Sequence, residues 1–471
     1  MTTLRSATKE QLTELLEIDP NYRGVTKSVA VKMLTVYLVL LMAIPAGLVF
    51  DPLGGAGSPS TVYALLIFIF YLGLWLRPAS FLDRRTQPIR LAAIIFICVM
   101  VASYVSANRH MLPVLEKNSA DRGLIFAFGF LGVLLMVADG IETIDDLETI
   151  LRREVFGAVC VASIGIWEFF TNINVVNYTR IPGLTVKVPV TDLLIRGGLS
   201  RIASTTSQPI EFGAVVAISL PFALHQALYC SPDKRVVRWL QVGVLATAAP
   251  LSVSRSAILA LAGIGFVMVP TWEKSQRRRA YLVILGLIGA FTVFVPTLIA
   301  TLTGLVINIG RDSSAQSRAK AFSLSWDFIS AHPWLGHGFS TFLPQSYFFI
   351  DDQYLTTLIE TGVIGLAALS ALFVVAWVIV RRARRLSPGA EGRHLAQCLA
   401  ATVVAAAISI SDYDAFGFPM ASGLTFMMLG SCGAYWRLAH RYKLHMNINL
   451  KLQLMGGKDE FKQCLQHSVA T

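Results

Sequence analysis

Charge is what this sequence has least of. Asp, Glu, Lys and Arg make up 15% of 471 residues, while 54% are hydrophobic. A soluble domain usually carries about a quarter charged residues and needs a mixed charged surface, and a disordered chain is far less apolar. Both classes are excluded, and the lipid bilayer is the expected solvent. The net charge of +11 does not point to nucleic acid, because the cations fall in short clusters between long apolar runs. A repeat of 20–50 residues is also missing, which argues against transporters built from recognisable repeated halves. Residues 1–28 are polar and lack a small-residue cleavage site, so no cleavable signal peptide is expected.

Apolar runs of about 16–25 residues are long enough to cross a hydrocarbon core of about 30 Å as helices. Twelve are predicted: 29–50, 60–76, 91–107, 123–138, 155–171, 211–229, 239–252, 256–271, 280–303, 356–380, 396–411 and 418–436. With the N-terminus in the cytoplasm, 29 of the 40 Lys and Arg fall inside and 11 outside. The positive-inside rule therefore puts both termini in the cytoplasm. The expected organisation is a cytoplasmic segment 1–28, a transmembrane domain 29–436 and a cytoplasmic tail 437–471. Runs such as Arg277-Arg278-Arg279 serve as topology anchors. Pro45, Pro221, Pro250, Pro270 and Pro296 mark kinks or ends of spans. The six cysteines, Cys98, Cys160, Cys230, Cys398, Cys432 and Cys464, lie in spans or on the cytoplasmic side. No disulfide framework follows, their spacings match no zinc motif, and no metal is expected.

Two outer loops are long, 172–210 and 304–355, and long loops on a rigid scaffold are where sites gather. The first carries Arg196 and Arg201, and the hairpin Ser252-Val253-Ser254-Arg255-Ser256 adds one cation. The second adds Arg311 and Arg318. Outside cations run against the positive-inside trend. Guanidinium groups match phosphate oxygens bidentately, so an anionic ligand is favoured for Arg201, Arg255 and Arg318 together, over pairing with Asp192, Glu211 or Asp312 or contact with lipid headgroups. The stretch 317–329 reads as a helix whose N-terminus lies beside Arg318. His337 sits between two glycines in Pro333-Trp334-Leu335-Gly336-His337-Gly338 and is a candidate donor or base. Asp352, Thr356 and Glu360, spaced i, i+4, i+8, share one helix face, and the adjacent Asp351 and Asp352 hinder each other's ionisation. Asp351, Asp352 and Glu360 are candidate catalytic groups; the competing reading pairs them with the outside arginines.

Taken together, Ser254-Arg255-Ser256, the Arg318 helix, the Pro333–Gly338 turn, and Asp351-Asp352-Gln353-Tyr354-Leu355 with Glu360-Thr361-Gly362 resemble the O-antigen ligase/polymerase superfamily over about 200–380. That family's pattern is an Arg helix, P-x-x-G-x-G, then H-N-x-Y-L or D-N-x-Y-L with E-x-G. The resemblance implies an all-α, GT-C-like membrane glycosyltransferase of the bacterial plasma membrane, without metal or cofactor. Its donor would be a glycan on undecaprenyl pyrophosphate, used at the outer face. Acceptor glycan or lipid, membrane lipids and a chain-length regulator would be its partners. Arg255 and Arg318 match the arginines expected to hold the pyrophosphate. Asp351 stands where ligases have His, and Asp352 replaces the usual Asn. The Asp is closer to polymerases, which elongate a polysaccharide, than to ligases, which attach it to a lipid or protein. A transporter of lipid-linked glycans is the third reading, and it would be expected to place ionisable residues near the bilayer midplane.

Overall fold

The computed structural model describes residues 29–77, 82–83, 85–109, 112–186, 195–196, 198–307, 313–387 and 389–454. It is a bundle of helices: α1 (Val29–Ala43), α2 (Pro59–Leu76), α3 (Pro88–Ala107), α4 (Val114–Gly140), α5 (Ile144–Thr171), α6 (Pro209–Tyr229), α7 (Arg235–Leu251) and α8 (Arg255–Met268). Then come α9 (Lys274–Phe294), α10 (Pro296–Ile307), α11 (Ser313–Ala331), α12 (Gln353–Leu386), α13 (Gly389–Ser409) and α14 (Pro419–Leu454). Five of these begin with proline, whose missing N–H is one of the donors that a helix start leaves unused in any case. Ser58 caps α2 by accepting from the Thr61 N–H, and Thr143 caps α5 by accepting from Asp146.

Every predicted apolar run contains a helix, but they are not twelve equal crossings. Among the described residues six helices are long and apolar enough to span a membrane: α2, α3, α4, α5, α6 and α12. The predicted ninth span is broken. α9 and α10 meet at 113° across Val295, where Pro296 has no N–H to continue the ladder and its ring crowds the turn before it. The helices α1 and α8 are shorter apolar segments.

Sequence alone does not rank the helices, whereas packing does. α4 and α6 are the most enclosed candidate spans, and α14 runs against α4. At that crossing Gly430 lets backbones touch, since a Cβ there would lie 2.5 Å from the Leu134 carbonyl oxygen, and Gly132 does the same where α4 meets α2, since its Cβ would lie 2.6 Å from Phe68 Cα. Small residues at such crossings are the usual means of close helix packing in lipid. By contrast, α9 buries none of its side chains, as suits a helix facing hydrocarbon. At the end of the bundle that carries Arg90 and Arg437, the buried Asp139 is held by Arg90 at 2.8 Å and the Tyr71 hydroxyl at 2.6 Å.

The loop between α5 and α6 is tied back to the turn after α1. Strand β1 (Leu48–Val49) pairs antiparallel with β2 (Thr185–Val186), and β3 (Ile195–Arg196) with β4 (Leu199–Ser200). Farther along, Glu168 accepts from the N–H groups of Ala203 and Ser204. Glu211 accepts from Ser207, Met420 and Ala421. These carboxylates fasten backbone at the α6 and α14 starts.

Candidate functional site

At that same end, four elements far apart in sequence converge. α7 and α8 are joined by a tight turn in which Val253 adopts φ 47°, a conformation that a β-branched residue seldom takes. The turn delivers Arg255 as the first residue of α8, buried to 8% exposure. Arg318 on α11 reaches the loop between α13 and α14. Its Nη1 lies 2.5 Å from Asp412 Oδ1, and its Nη2 donates to the Asp412 carbonyl at 3.3 Å. Ser256 and Arg255 also lie close enough to favour the charged form of Asp412. One cation thus binds this carboxylate directly, and a second cation and a hydroxyl act on it from nearby.

Asp351 and Asp352 close the cluster. Asp352 is the N-cap of α12, its Oδ1 accepting from the Tyr354 N–H at 2.8 Å and from Leu355 at 3.2 Å. Asp351 is exposed and not engaged in that cap. The α12 start is stitched to the 410–418 loop: Gln353 N–H donates to the Ile410 carbonyl at 2.9 Å, Phe416 N–H to Gln353 Oε1 at 3.2 Å, and the Tyr354 hydroxyl to the Ala407 carbonyl.

The electrostatics of this loop follow from burial. Burial pushes Asp352 above its ordinary value, against the pull of the Leu355 and Tyr354 N–H groups. Asp412 is also raised by burial, opposed by Arg318, Ser256 and Arg255. Asp414 is raised from 3.8 to about 6, by burial first and by the Asp351 charge second. A carboxyl raised in the folded state binds protons there that the unfolded chain has already lost. Its contribution to stability therefore falls as pH rises from about 4 to about 6 and is level above. Asp414→Asn is expected to flatten this part of the pH–stability curve and to stabilise the protein above pH 6. Thermal unfolding of both proteins across that range checks it, and identical slopes would count against the assignment.

The two glycine-bearing motifs meet each other. α12 is interrupted at Gly362, which has φ +67° and ψ −168°. The Pro333–Gly338 turn fills the break. Val363 N–H donates to the Pro333 carbonyl at 2.9 Å, while His337 and Gly338 N–H groups donate to the carbonyls of Ile359 and Glu360 at 2.8 and 3.0 Å. Glu360, two residues before the break, is buried; its Oε1 accepts from the Phe342 N–H at 3.4 Å, and Asp414 lies within its electrostatic range.

The structure therefore brings together Arg255, Arg318, Asp351 and Asp352, with Glu360 beneath. His337 belongs to a neighbouring aromatic cluster: Nδ1 meets Thr341 Oγ1 at 3.1 Å, Nε2 meets the Tyr347 hydroxyl at 3.5 Å, and that hydroxyl donates to Glu116. Burial lowers its pKa. Arg201 is half-buried ahead of the Ile202–Ser207 loop, and Arg196 is in β3 opposite Leu199. Arg311 lies outside the described residues. The helix expected to start beside Arg318 begins earlier, at Ser313, so Arg318 is more than a turn inside it and is not beside its free N–H groups. Asp412 and Asp414 were missed by sequence reasoning. Their signal was two carboxylates in Ser411-Asp412-Tyr413-Asp414, a connection of a few residues between apolar runs.

An all-α, multi-pass membrane protein with a carboxylate–arginine cluster at one end of its bundle is the class these features define. Residues 241–370 match the family described as O-antigen ligase. The match supports membership of the O-antigen ligase/polymerase superfamily, whose members are glycosyltransferase-like enzymes. The matched segment contains Arg255, Arg318, the Pro333–Gly338 turn, Asp351, Asp352, Glu360 and Gly362. No curated protein matches the chain.

Proposed function

We propose that the protein is a polysaccharide polymerase that elongates glycans carried on undecaprenyl pyrophosphate at the outer face of the bacterial plasma membrane, with both termini in the cytoplasm. The observation that carries this reading is the convergence of Arg255 and Arg318 on Asp412 beside an exposed Asp351. Asp351 accepts the proton of an acceptor sugar hydroxyl as that oxygen attacks the anomeric carbon. The bond from the anomeric carbon to the pyrophosphate oxygen breaks, and the leaving diphosphate takes up the charge under the two guanidinium groups. Asp412 holds those groups in place beforehand, and the step needs no metal. The excess of Lys and Arg on the assigned cytoplasmic side supports the orientation. The family description favours a second reading, a ligase that transfers the same donor glycan to a lipid or protein acceptor. Accumulation of long lipid-linked chains in a deletion strain would favour the ligase, and loss of long chains the polymerase.

The two adjacent carboxylates can be separated by one comparison. Asn caps helices as well as Asp does, so Asp352→Asn is expected to keep most activity. Asp351→Asn is expected to lower elongation by about 100-fold or more, in the range of general-base losses. The assay is extension of lipid-diphosphate oligosaccharide by purified protein in nanodiscs. Equal activity of the two variants would remove Asp351 from the role of base.

A further inference from the structure

Away from the carboxylate cluster, α6 and α13 hold a second group of reactive side chains that the proposed reaction does not use. His225 lies 14 residues along α6 from Glu211, about 21 Å at the helical rise, and His394 lies 15 residues before Ser409 on α13, about 22 Å. The two groups are therefore at opposite ends of the same helices. His225 Nδ1 and His394 Nδ1 are 3.0 Å apart, and His394 Nδ1 is 3.5 Å from Cys398 Sγ. His225 and Cys398 are buried. His394 and Cys398 share one face of α13 at i, i+4. The three ligand atoms all lie within 4.8 Å of one another, and Glu148, His225 and Glu391 form a second group that meets the same limit. Glu148, His225 and Glu391 line one cleft together with Tyr229 and Cys230.

The geometry points to a binding site for a divalent metal of the zinc class, held by His225, His394 and Cys398, with Glu148 or Glu391 as the fourth ligand. Zinc bonds of about 2.05 Å to nitrogen and 2.3 Å to sulfur, at tetrahedral angles, separate N from S by about 3.6 Å and N from N by about 3.3 Å. The observed 3.5 and 3.0 Å need only a few tenths of an ångström of opening. Imidazole and thiolate are the donors such an ion prefers, and harder ions such as Mg²⁺ and Ca²⁺ are disfavoured by them. Binding releases the Cys398 thiol proton to solvent, and the proton shared by the two Nδ1 atoms moves to the Nε2 of its ring, freeing both Nδ1 lone pairs. The ion would staple α6 to α13 at the end away from the carboxylate cluster. The absence of a zinc spacing in the cysteines does not bear on this, since the ligands come from positions 169 residues apart.

The test uses the full-length protein, purified in detergent with reductant, stripped by chelator and titrated with Co²⁺. The expected result is a thiolate-to-cobalt charge-transfer band and tetrahedral visible bands that saturate at one equivalent and are displaced by Zn²⁺. Cys398→Ser is expected to abolish the charge-transfer band, and His225→Ala to weaken cobalt binding. Chelation should lower the Tm of the wild type and leave that of Cys398→Ser unchanged. A wild-type titration without a charge-transfer band would overturn the site, whether or not the variants fold. So would a band that survives in Cys398→Ser.

Discussion

Arg318→Ala is expected to reduce glycan transfer by about 100- to 1000-fold, the range seen when one charge-stabilising donor is removed from a transition state. The effect should fall on kcat more than on KM, because the guanidinium is most needed as the diphosphate takes on charge. Arg318→Lys tests geometry separately from charge. Arg318 binds Asp412 at two points, through Nη1 to the carboxylate and Nη2 to the carbonyl, and an ammonium cannot reproduce a planar fork. Lys is therefore expected to recover only a small part of the loss. Steady-state kinetics with a lipid-diphosphate oligosaccharide check both variants. Full activity in Arg318→Lys would show that a point charge suffices, and full activity in Arg318→Ala would remove the residue from the reaction.

Gly362→Ala is expected to be the most damaging single methyl in this region. Its φ of +67° with ψ of −168° is a combination open essentially to glycine, and a Cβ there would stand 2.3 Å from the Trp334 carbonyl carbon and oxygen. Both atoms are backbone, so no side chain can swing aside. The mirror contact is at Gly336, φ +71°, where a Cβ would stand 2.2 Å from the Glu360 carbonyl carbon. Relief of either clash separates the Pro333–Gly338 turn from α12 and frees the N–H and carbonyl groups it satisfies. A loss of about 3 kcal/mol or more follows from backbone strain plus unpaired buried groups. Thermal unfolding in detergent measures it, and a melting temperature equal to that of the wild type would refute the docking role.

Much of this was legible in the sequence, and the limits have physical causes. Membrane helices announce themselves through continuous apolar runs, so the positions of the helices were readable from α1 to α14. The break at Pro296 was less so, because proline is tolerated inside spans as well as at their ends. Arg255, Arg318, Asp351 and Asp352 were readable as charges on the expected outer side of a chain with few of them. Asp412 was not, because its meaning depends on Arg318, 94 positions earlier. The roles of the adjacent aspartates could not be told apart without the cap geometry that engages Asp352. The His225–His394–Cys398 group was hidden for the same reason as Asp412, since only helix packing brings its members together.

The interruption at Gly362 also divides α12 by depth. All 34 residues in one rod would measure about 51 Å, far more than the hydrocarbon of a bilayer. The 24 residues from Val363 to Leu386 measure about 36 Å, which crosses that hydrocarbon with a modest tilt. In the proposed arrangement, what precedes the glycine lies at the level of the lipid headgroups, with Asp351 at its tip. A diphosphate tethered to a membrane-embedded chain has its own fixed height, set by where the tail ends. In the proposed reaction, a single glycine thus acts as a ruler: it brings the carboxylate to the altitude of the bond to be broken, and the substrate need not be lifted from the membrane.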